Sequence, residues 1–372
     1  MKKKIISLVL ATVLAVGCLA GCGSSNTTSG KGYEIALITD KGNIDDKSFN
    51  QGSWEGVLAY TEKNNITHQY YKPEEASDEG YFNAIKLAVE GGAKVIVCPG
   101  YLFEAAVYSA QTQFPDVKFV LLDGEPHTPD YVTYETKSNT ACIMYAEEEA
   151  GYLAGYAAVV DGCTTLGFEG GMAVPAVVAF GYGYLQGIEA AATDLGLADG
   201  SVKVFYHYTG DFAETDANKA VASAMAASGA QVIFGCGGSV GKSVFAATSE
   251  ANIKSIGVDV NQKADSDTVI TSAMKGLGAS VEAVLDSIYT DKFDTYAGKT
   301  TYFTAANDGV GLPDDFERFT TFDKATYDKV YATLADGTVD PIRSFEITDA
   351  AAVTAEQLQT ELGLKKVVVE IR

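Results

Sequence analysis

KVIVCPGYLFEAAVYSAQTQFPDVKFVLLD, residues 94–123, decides the architecture. It opens on an unalternated run of Val and Ile, passes Gly100 into an alanine-rich stretch, and closes on a second apolar run. A strand with no polar face is one covered on both sides, and two such strands joined through a helix are parallel, with a right-handed crossover. The pattern predicts strands over 94–99 and 118–123 around a helix over 103–113.

The same alternation extends outward. Strands are expected over 34–40, 67–71, 164–169, 202–208, 231–236 and 253–259, with helices over 49–64, 79–90, 144–160, 176–195, 215–228 and 243–251. The units form two runs, one on each side of the helix at 144–160. The fold class is therefore α/β, with two doubly wound parallel sheets. At roughly 100–200 residues per domain, a chain of 372 residues has room for both. In such sheets ligands bind beyond the carboxyl ends of the strands. Those ends carry Asp40, Pro99-Gly100-Tyr101 and Asp123-Gly124 in the first run. In the second they carry Glu169-Gly170-Gly171, Thr209-Gly210-Asp211, Gly237-Gly238-Ser239 and Asp259. Acids, glycines and aromatics with few bases favour an uncharged polar ligand that has an apolar face.

Charge narrows the partners. Forty-nine acids against 27 bases give a net charge of −22, which repels a polyphosphate and an anionic lipid surface alike. Nucleic acid is thus excluded as a partner. Met1-Lys2-Lys3-Lys4 precedes an apolar run from Ile5 to Ala20 and then Gly21-Cys22. This is a secretory signal, whose apolar part is shorter than the roughly 20 residues that span a bilayer. Leu19-Ala20-Gly21-Cys22 is similar to a bacterial lipobox, which implies cleavage after residue 21 and a lipid on Cys22. Losing residues 1–21 removes three lysines and no acid, taking −22 to −25. Residues 22–32, rich in Gly, Ser and Thr, read as a lipidated tether.

Familiar catalytic patterns are weak. GCGGSVGKS (235–243) lacks the glycine a phosphate loop needs at Cys236, and reads as a glycine-rich turn that admits an uncharged ligand. His68, His127 and His207 are scattered, and Cys98, Cys142, Cys163 and Cys236 match no zinc spacing, so no metal or cofactor is expected. Cys98 and Cys236 sit in strand-like runs that suit buried free thiols, while any disulfide pairing stays open. Asp45-Asp46 and Glu147-Glu148-Glu149 could be acid–base pairs, but such acids more often face solvent or start a helix, as the second group does.

Several segments together resemble the basic membrane protein family, the purine-nucleoside-binding lipoproteins of ABC importers. They are ALITDKGNIDDKSFNQGSWEG (36–56), FVLLDG (119–124), AGYLAGYAA (150–158), LGFEGGMAVPAVVAFGYGYLQGIEAA (166–191), GDFAETDANKAVA (210–222), IGVDVNQ (256–262) and VITSAMK (269–275). The resemblance implies a type I periplasmic binding protein, two lobes joined by three crossovers. Lobe 1 would comprise 33–140 and 262–296, and lobe 2 would comprise 141–261 and 297–347. A helix over 277–291 would return to the first lobe and a strand at 300–303 would cross to the second. Residues 348–372 form an extension, a helix and a final strand, with no assigned role. The resemblance further implies Phe49 and Phe180 on the two faces of a base, and Asp123 at its edge with Asn50 nearby. Asp259 and Lys275 would hold the ribose hydroxyls, Asp40 and Asp46 would line the first-lobe rim, and Gly237 and Gly238 would permit close approach. The implied protein is no enzyme. It is a monomeric, lipid-anchored receptor on the extracytoplasmic face of the cell membrane, touching the membrane only through its lipid. It would deliver a nucleoside to a permease with a cytoplasmic ATPase. A sugar or autoinducer receptor of the same fold, a sensor, and a nucleoside-cleaving surface enzyme are the rival readings.

Overall fold

The computed structural model describes residues 32–372; the signal segment, Cys22 and nearly all of the tether lie outside them. The first run builds β1 (Ile35–Ile38), α1 (Phe49–Asn64), β2 (His68–Tyr71), α2 (Asp78–Glu90), β3 (Val95–Pro99), α3 (Glu104–Gln113), β4 (Lys118–Leu122) and β5 (Thr140–Tyr145). The chain then leaves through α4 (Glu147–Val160). The second run builds β6 (Thr165–Gly170), α5 (Pro175–Asp194), β7 (Val202–Tyr208), α6 (Asp216–Ala227), β8 (Val232–Cys236), α7 (Val240–Ala251), β9 (Lys254–Asp259) and β10 (Val269–Lys275). It returns through α8 (Leu277–Tyr289) to β11 (Lys299–Phe303). It crosses once more to β12 (Val310–Gly311), and ends with α9 (Lys324–Ala335), α10 (Ala355–Glu361) and β13 (Val367–Ile371).

The strands form two sheets, ordered β11-β5-β4-β3-β1-β2 and β12-β10-β9-β8-β6-β7-β13. Apart from the last strand of the second, the two orders superpose one for one. Every pairing is parallel except β10 with the short β12. This is the doubly wound order expected, with three passages between sheets, through α4, through α8 and between β11 and β12. The central strands are wholly buried, as in Val95–Pro99 and Val232–Cys236, because helices cover both faces. Among the described residues no helix is long and apolar enough to cross a membrane.

Strand membership departs from the expected ranges at the passages. Residues 140–145 form the fifth strand of the first sheet, not the opening of a helix at Met144. β10 joins the second sheet beside β9, inside the stretch expected in lobe 1. The strand at 300–303 does not cross over: Thr300 pairs with Cys142 at the edge of the first sheet. The cause is common to all three. The departures fall on the outer two strands of the first sheet, β11 and β5, and on β10, next to the edge of the second; a strand's own apolar run carries no local mark of which sheet it joins. The helix expected over 277–291 does pack on the first sheet's α1, where a Cβ on Gly56 would stand 2.8 Å from Gly278 Cα. The terminal helix and strand also form, and β13 extends the second sheet beyond β7.

α4 and α5 approach closely enough to touch backbones. A Cβ on Gly151 would lie 2.1 Å from Phe180 O, and one on Gly183 would lie 2.0 Å from Glu148 O. Only glycine allows that approach, so the repeated glycines of 150–158 and 181–187 are a packing device. It fixes Phe180 and the start of α4 relative to one another.

Candidate functional site

The carboxyl ends of the two sheets enclose about 730 Å³ of empty space, mouth included. All ten side chains or glycines singled out above line it: Asp40, Asp46, Phe49, Asn50, Asp123, Phe180, Gly237, Gly238, Asp259 and Lys275. Strand geometry explains the convergence. β1 delivers Asp40, β4 delivers Asp123, β9 ends in Asp259 and β10 ends in Lys275. Asp123 and Asp259 occupy equivalent places in the two sheets, and both adopt left-handed backbone, with φ of 56° and 64°. That conformation is uncommon outside glycine but tolerated by Asp. It turns each carboxylate out of its strand.

The first sheet's rim is a hydrogen-bonded weave. Asn50 Nδ2 donates to Asp40 Oδ1 and to Asp46 Oδ2, each at 2.8 Å, while Asn50 Oδ1 accepts from Asp40 N at 3.1 Å. Asp46 Oδ1 accepts from Ser48 N at 2.8 Å and Gln51 N at 3.1 Å, and Oδ2 accepts from Asn50 N at 3.1 Å. Asp46 therefore serves the start of α1, where negative charge suits the free N–H groups, and holds Asn50 in place. Asp45 beside it is exposed. Burial pushes Asp40 up to about 6, against the bonds from Gly42 and Asn50 that would lower it.

Lys275 sits on the cavity floor. Its Nζ donates to Asp123 Oδ2 at 2.5 Å and lies 2.9 Å from Glu147 Oε1. It also lies 4.7 Å from the ring centre of Phe49 and 5.5 Å from that of Phe180. Burial alone would lower its pKa, but Asp123, Glu147 and Asp259 raise it, so the ammonium stays charged. Burial pushes Asp123 up to about 7 against the opposing pull of Lys275. Asp123 Oδ1 is buried without any hydrogen-bond partner, a state that carries a real cost until something donates to it. Asp259 is raised by burial against the charge of Lys275, and accepts from the Ser48 hydroxyl across the cleft. A second cross-cleft bond runs from Gln262 Nε2 to Lys47 O at 2.6 Å.

The second sheet's rim is built from backbone and rings. Gly237, at φ 126°, lies under Phe212: a Cβ there would stand 3.0 Å from the ring and strain the backbone as well. Phe212 O accepts from Ser239 N at 3.0 Å, and Asn218 ties the neighbouring Asp211 and Ala213. Pro175 opens α5, a position where its missing N–H costs nothing, and brings Val174 and Val177 to the wall.

Three participants escape the sequence reading. Phe212 is half-buried over the cavity, whereas Phe180 is 2 % exposed and packs edge-on against Phe234; the clue to Phe212 was its place just after the strand end at 209–211. Glu147, taken for a helix-start or surface acid, has no exposed surface and holds Lys275. Arg343 meets Glu147 Oε2 at 2.7 Å from a segment with no periodic signal. All four cysteines of the described residues are buried and free, and Cys236 lines the cavity.

Residues 34–336 match the family described as PnrA-like ABC transporter substrate-binding proteins. The chain is 30% identical over 340 residues to a protein of Lactococcus lactis named ABC transporter nucleoside-binding protein BmpA, covering 84% of this chain and 92% of that one. It is 27% identical over 274 residues to an uncharacterized lipoprotein of Pyrococcus furiosus, covering 71% and 66%. Among solved structures it resembles an ABC transporter solute-binding protein of Aeropyrum pernix, with a TM-score of 0.74, 20% identity, and 88% and 98% of the two chains covered.

Proposed function

The chain belongs to the Bmp family of PnrA-like ABC transporter substrate-binding proteins, and from that membership we propose that it captures a nucleoside, with a purine base, by closing two lobes around it. The single observation carrying this reading is the cavity's composition: the rings of Phe49 and Phe212 line it together with a buried carboxylate, Asp123, that keeps one oxygen without a partner. A purine edge rich in N–H donors satisfies that oxygen while its faces meet the rings. Phe180 backs the slot from the core. Asp259, Lys275, Asp40 and Asn50 read the sugar and the remaining edge, and Gly237 and Gly238 let backbone approach. The nucleoside-binding name of the Lactococcus lactis relative agrees with this reading.

Charge selects against phosphorylated ligands. Lys275 is already matched by Asp123 and Glu147, and Asp40, Asp46 and Asp259 add further acids to the wall. We read the mature protein as a monomer held by a lipid on Cys22 at the outer face of the membrane, where it hands its ligand to a permease with a cytoplasmic ATPase. The lipoprotein name of the Pyrococcus furiosus relative supports the anchor.

A ligand that binds only the folded state raises its melting temperature. Guanosine, inosine and adenosine are expected to raise Tm, and GMP, ribose and free pentoses to leave it unmoved. A response to a pentose alone would replace the purine reading with a sugar receptor. The reading is also of binding without bond chemistry, so release of hypoxanthine from inosine would overturn it.

A further inference from the structure

The ammonium on the cavity floor is gripped from behind as well as from the cavity. Glu147, the first residue of α4, is fully buried, and its two oxygens lie 2.9 Å from Lys275 Nζ and 2.7 Å from Arg343 Nη2. Arg343 also donates through Nη1 to Tyr145 O at 2.6 Å and to Glu148 Oε2 at 2.8 Å. Alternating charges thus run Asp123, Lys275, Glu147, Arg343, from the cavity to the junction of β5 and α4.

The segment bearing Arg343 follows α9 and has no helix or strand of its own, yet it is pinned on both sides of the arginine. Gln186 Oε1 accepts from Ile342 N at 2.8 Å, and Gln186 Nε2 donates to Ile342 O at 2.9 Å. Phe345 stacks on Tyr182 with ring centres 4.8 Å apart and planes 3° from parallel. Both pins come from α5, so the guanidinium is placed by packing rather than left to a flexible side chain.

Lysine is a point charge on a flexible stem. With Asp123 as its only close acid it would collapse onto both carboxylate oxygens. Glu147, 2.9 Å from the same Nζ, gives the ammonium a second anion to balance against Asp123. Glu147 in turn would be a second buried acid competing for one base, a costly arrangement, without the second cation that Arg343 supplies. Although burial pushes Glu147 up, Lys275 and Arg343 hold it below the usual carboxylate range.

We propose that Glu147 and Arg343 are positioning residues for ligand capture: Arg343 fixes Glu147, and Glu147 holds the Lys275 ammonium so that Asp123 keeps one oxygen free for the ligand. The affinity part of this inference rests on the nucleoside reading above; the placement of Lys275 does not.

Two readouts on the full chain separate them: competitive acetylation of lysines followed by peptide mass spectrometry without ligand, and calorimetry with guanosine. Lys86 is an exposed reference, and Lys254, paired with Asp161, reports general loosening. In R343M and E147Q the acetylation of Lys275 is expected to rise about fivefold with Lys86 and Lys254 unchanged, and guanosine affinity to fall about tenfold. R343K should stay within about threefold of the parent, and the E147Q/R343M pair should lose little more than E147Q alone, since linked residues are not additive. Unchanged Lys275 labelling in R343M, or fully additive losses, overturns the proposal. If E147Q fails to fold, R343M and R343K decide it alone. Labelling that changes as expected in a protein that binds no purine nucleoside upholds the placement of Lys275 and sinks the nucleoside reading instead.

Discussion

The two rims of the cavity occupy equivalent edges of equivalent sheets and are made differently. The first presents side chains: Asp40, Asp46 and Asn50 bond to one another and to the start of α1, so the three are held by their neighbours. The second presents backbone and rings: Gly237 and Gly238 lie beneath Phe212, with Val174 and Val177 beside them. Asp123 and Asp259 are the shared element, the same residue in the same left-handed conformation at the same strand position. On the proposed function, the difference teaches that polar recognition is loaded on the preorganised side and shape on the permissive one. A hydrogen-bond reader needs fixed geometry, whereas a stacking surface needs only close approach.

The sharpest way to break the comparison is to remove the shared aspartate on the reading side. Asp123→Ala strips Lys275 of a partner and the ligand of its acceptor. On the proposed function it lowers guanosine affinity by about 100-fold, roughly 3 kcal/mol in calorimetry. Asp45→Ala, one residue from the weave but exposed, is the control and should leave affinity unchanged; equal losses in the two variants would refute the assignment of Asp123.

Next comes the stacking side. Phe212→Ala should cost about 1–3 kcal/mol of binding, the scale of base–aromatic stacking, with ligand-free Tm nearly unmoved because the ring is half-buried in a loop. Phe180→Ala should do the reverse, lowering Tm strongly through a core cavity of about 3–5 kcal/mol. If Phe180→Ala spares stability and abolishes binding, the two phenylalanines exchange roles.

The smallest effect is a pH dependence, carried in the cavity by Asp40 and Asp123 and, in the same direction, by Asp259. Asp40 and Asp123 are raised by burial to about 6 and about 7 from the ordinary carboxylate value of 3.8. Between those limits the folded state holds more protons than the unfolded chain, so stability falls as pH rises through the window. The ligand-free Tm should be roughly 2–4 °C higher near pH 5.5 than near pH 8. The guanosine-induced increment should move oppositely, shrinking as pH falls through 7, because a protonated Asp123 no longer accepts as a carboxylate. Asp123→Asn should flatten its share of both trends. Glu147, held low by Lys275 and Arg343, works with the opposite sign and withdraws stability only at still lower pH.

Much of the fold was legible because parallel strands covered on both faces must be apolar throughout, as residues 95–97 and 119–122 are. The site was legible because such strands end in a cleft, so Asp40, Asp123, Gly237 and Asp259 could be placed there from strand ends alone. Phe49, Phe180 and Lys275 needed the family resemblance, since an aromatic in a helical stripe and a lysine ending a strand have no distinguishing local pattern. Phe212 escaped because it sits on a loop held by tertiary bonds, from Ser239 N to its own carbonyl and from Asn218 to Asp211 and Ala213 beside it. Glu147 does start a helix, as its place in three consecutive acids implies, but nothing local marks which of the three turns inward.

What the sequence by itself determined is therefore everything set by local covering and period: two parallel sheets, their winding, and the acids and glycines at the strand ends. Only the tertiary structure decided which sheet β5, β10 and β11 join, which acid of 147–149 goes inside, and which cation meets it. Arg343 stands 196 positions from Glu147. A charge enters the interior when a distant opposite charge is fixed there to compensate it. No local pattern records that distance, and the fold alone closes it.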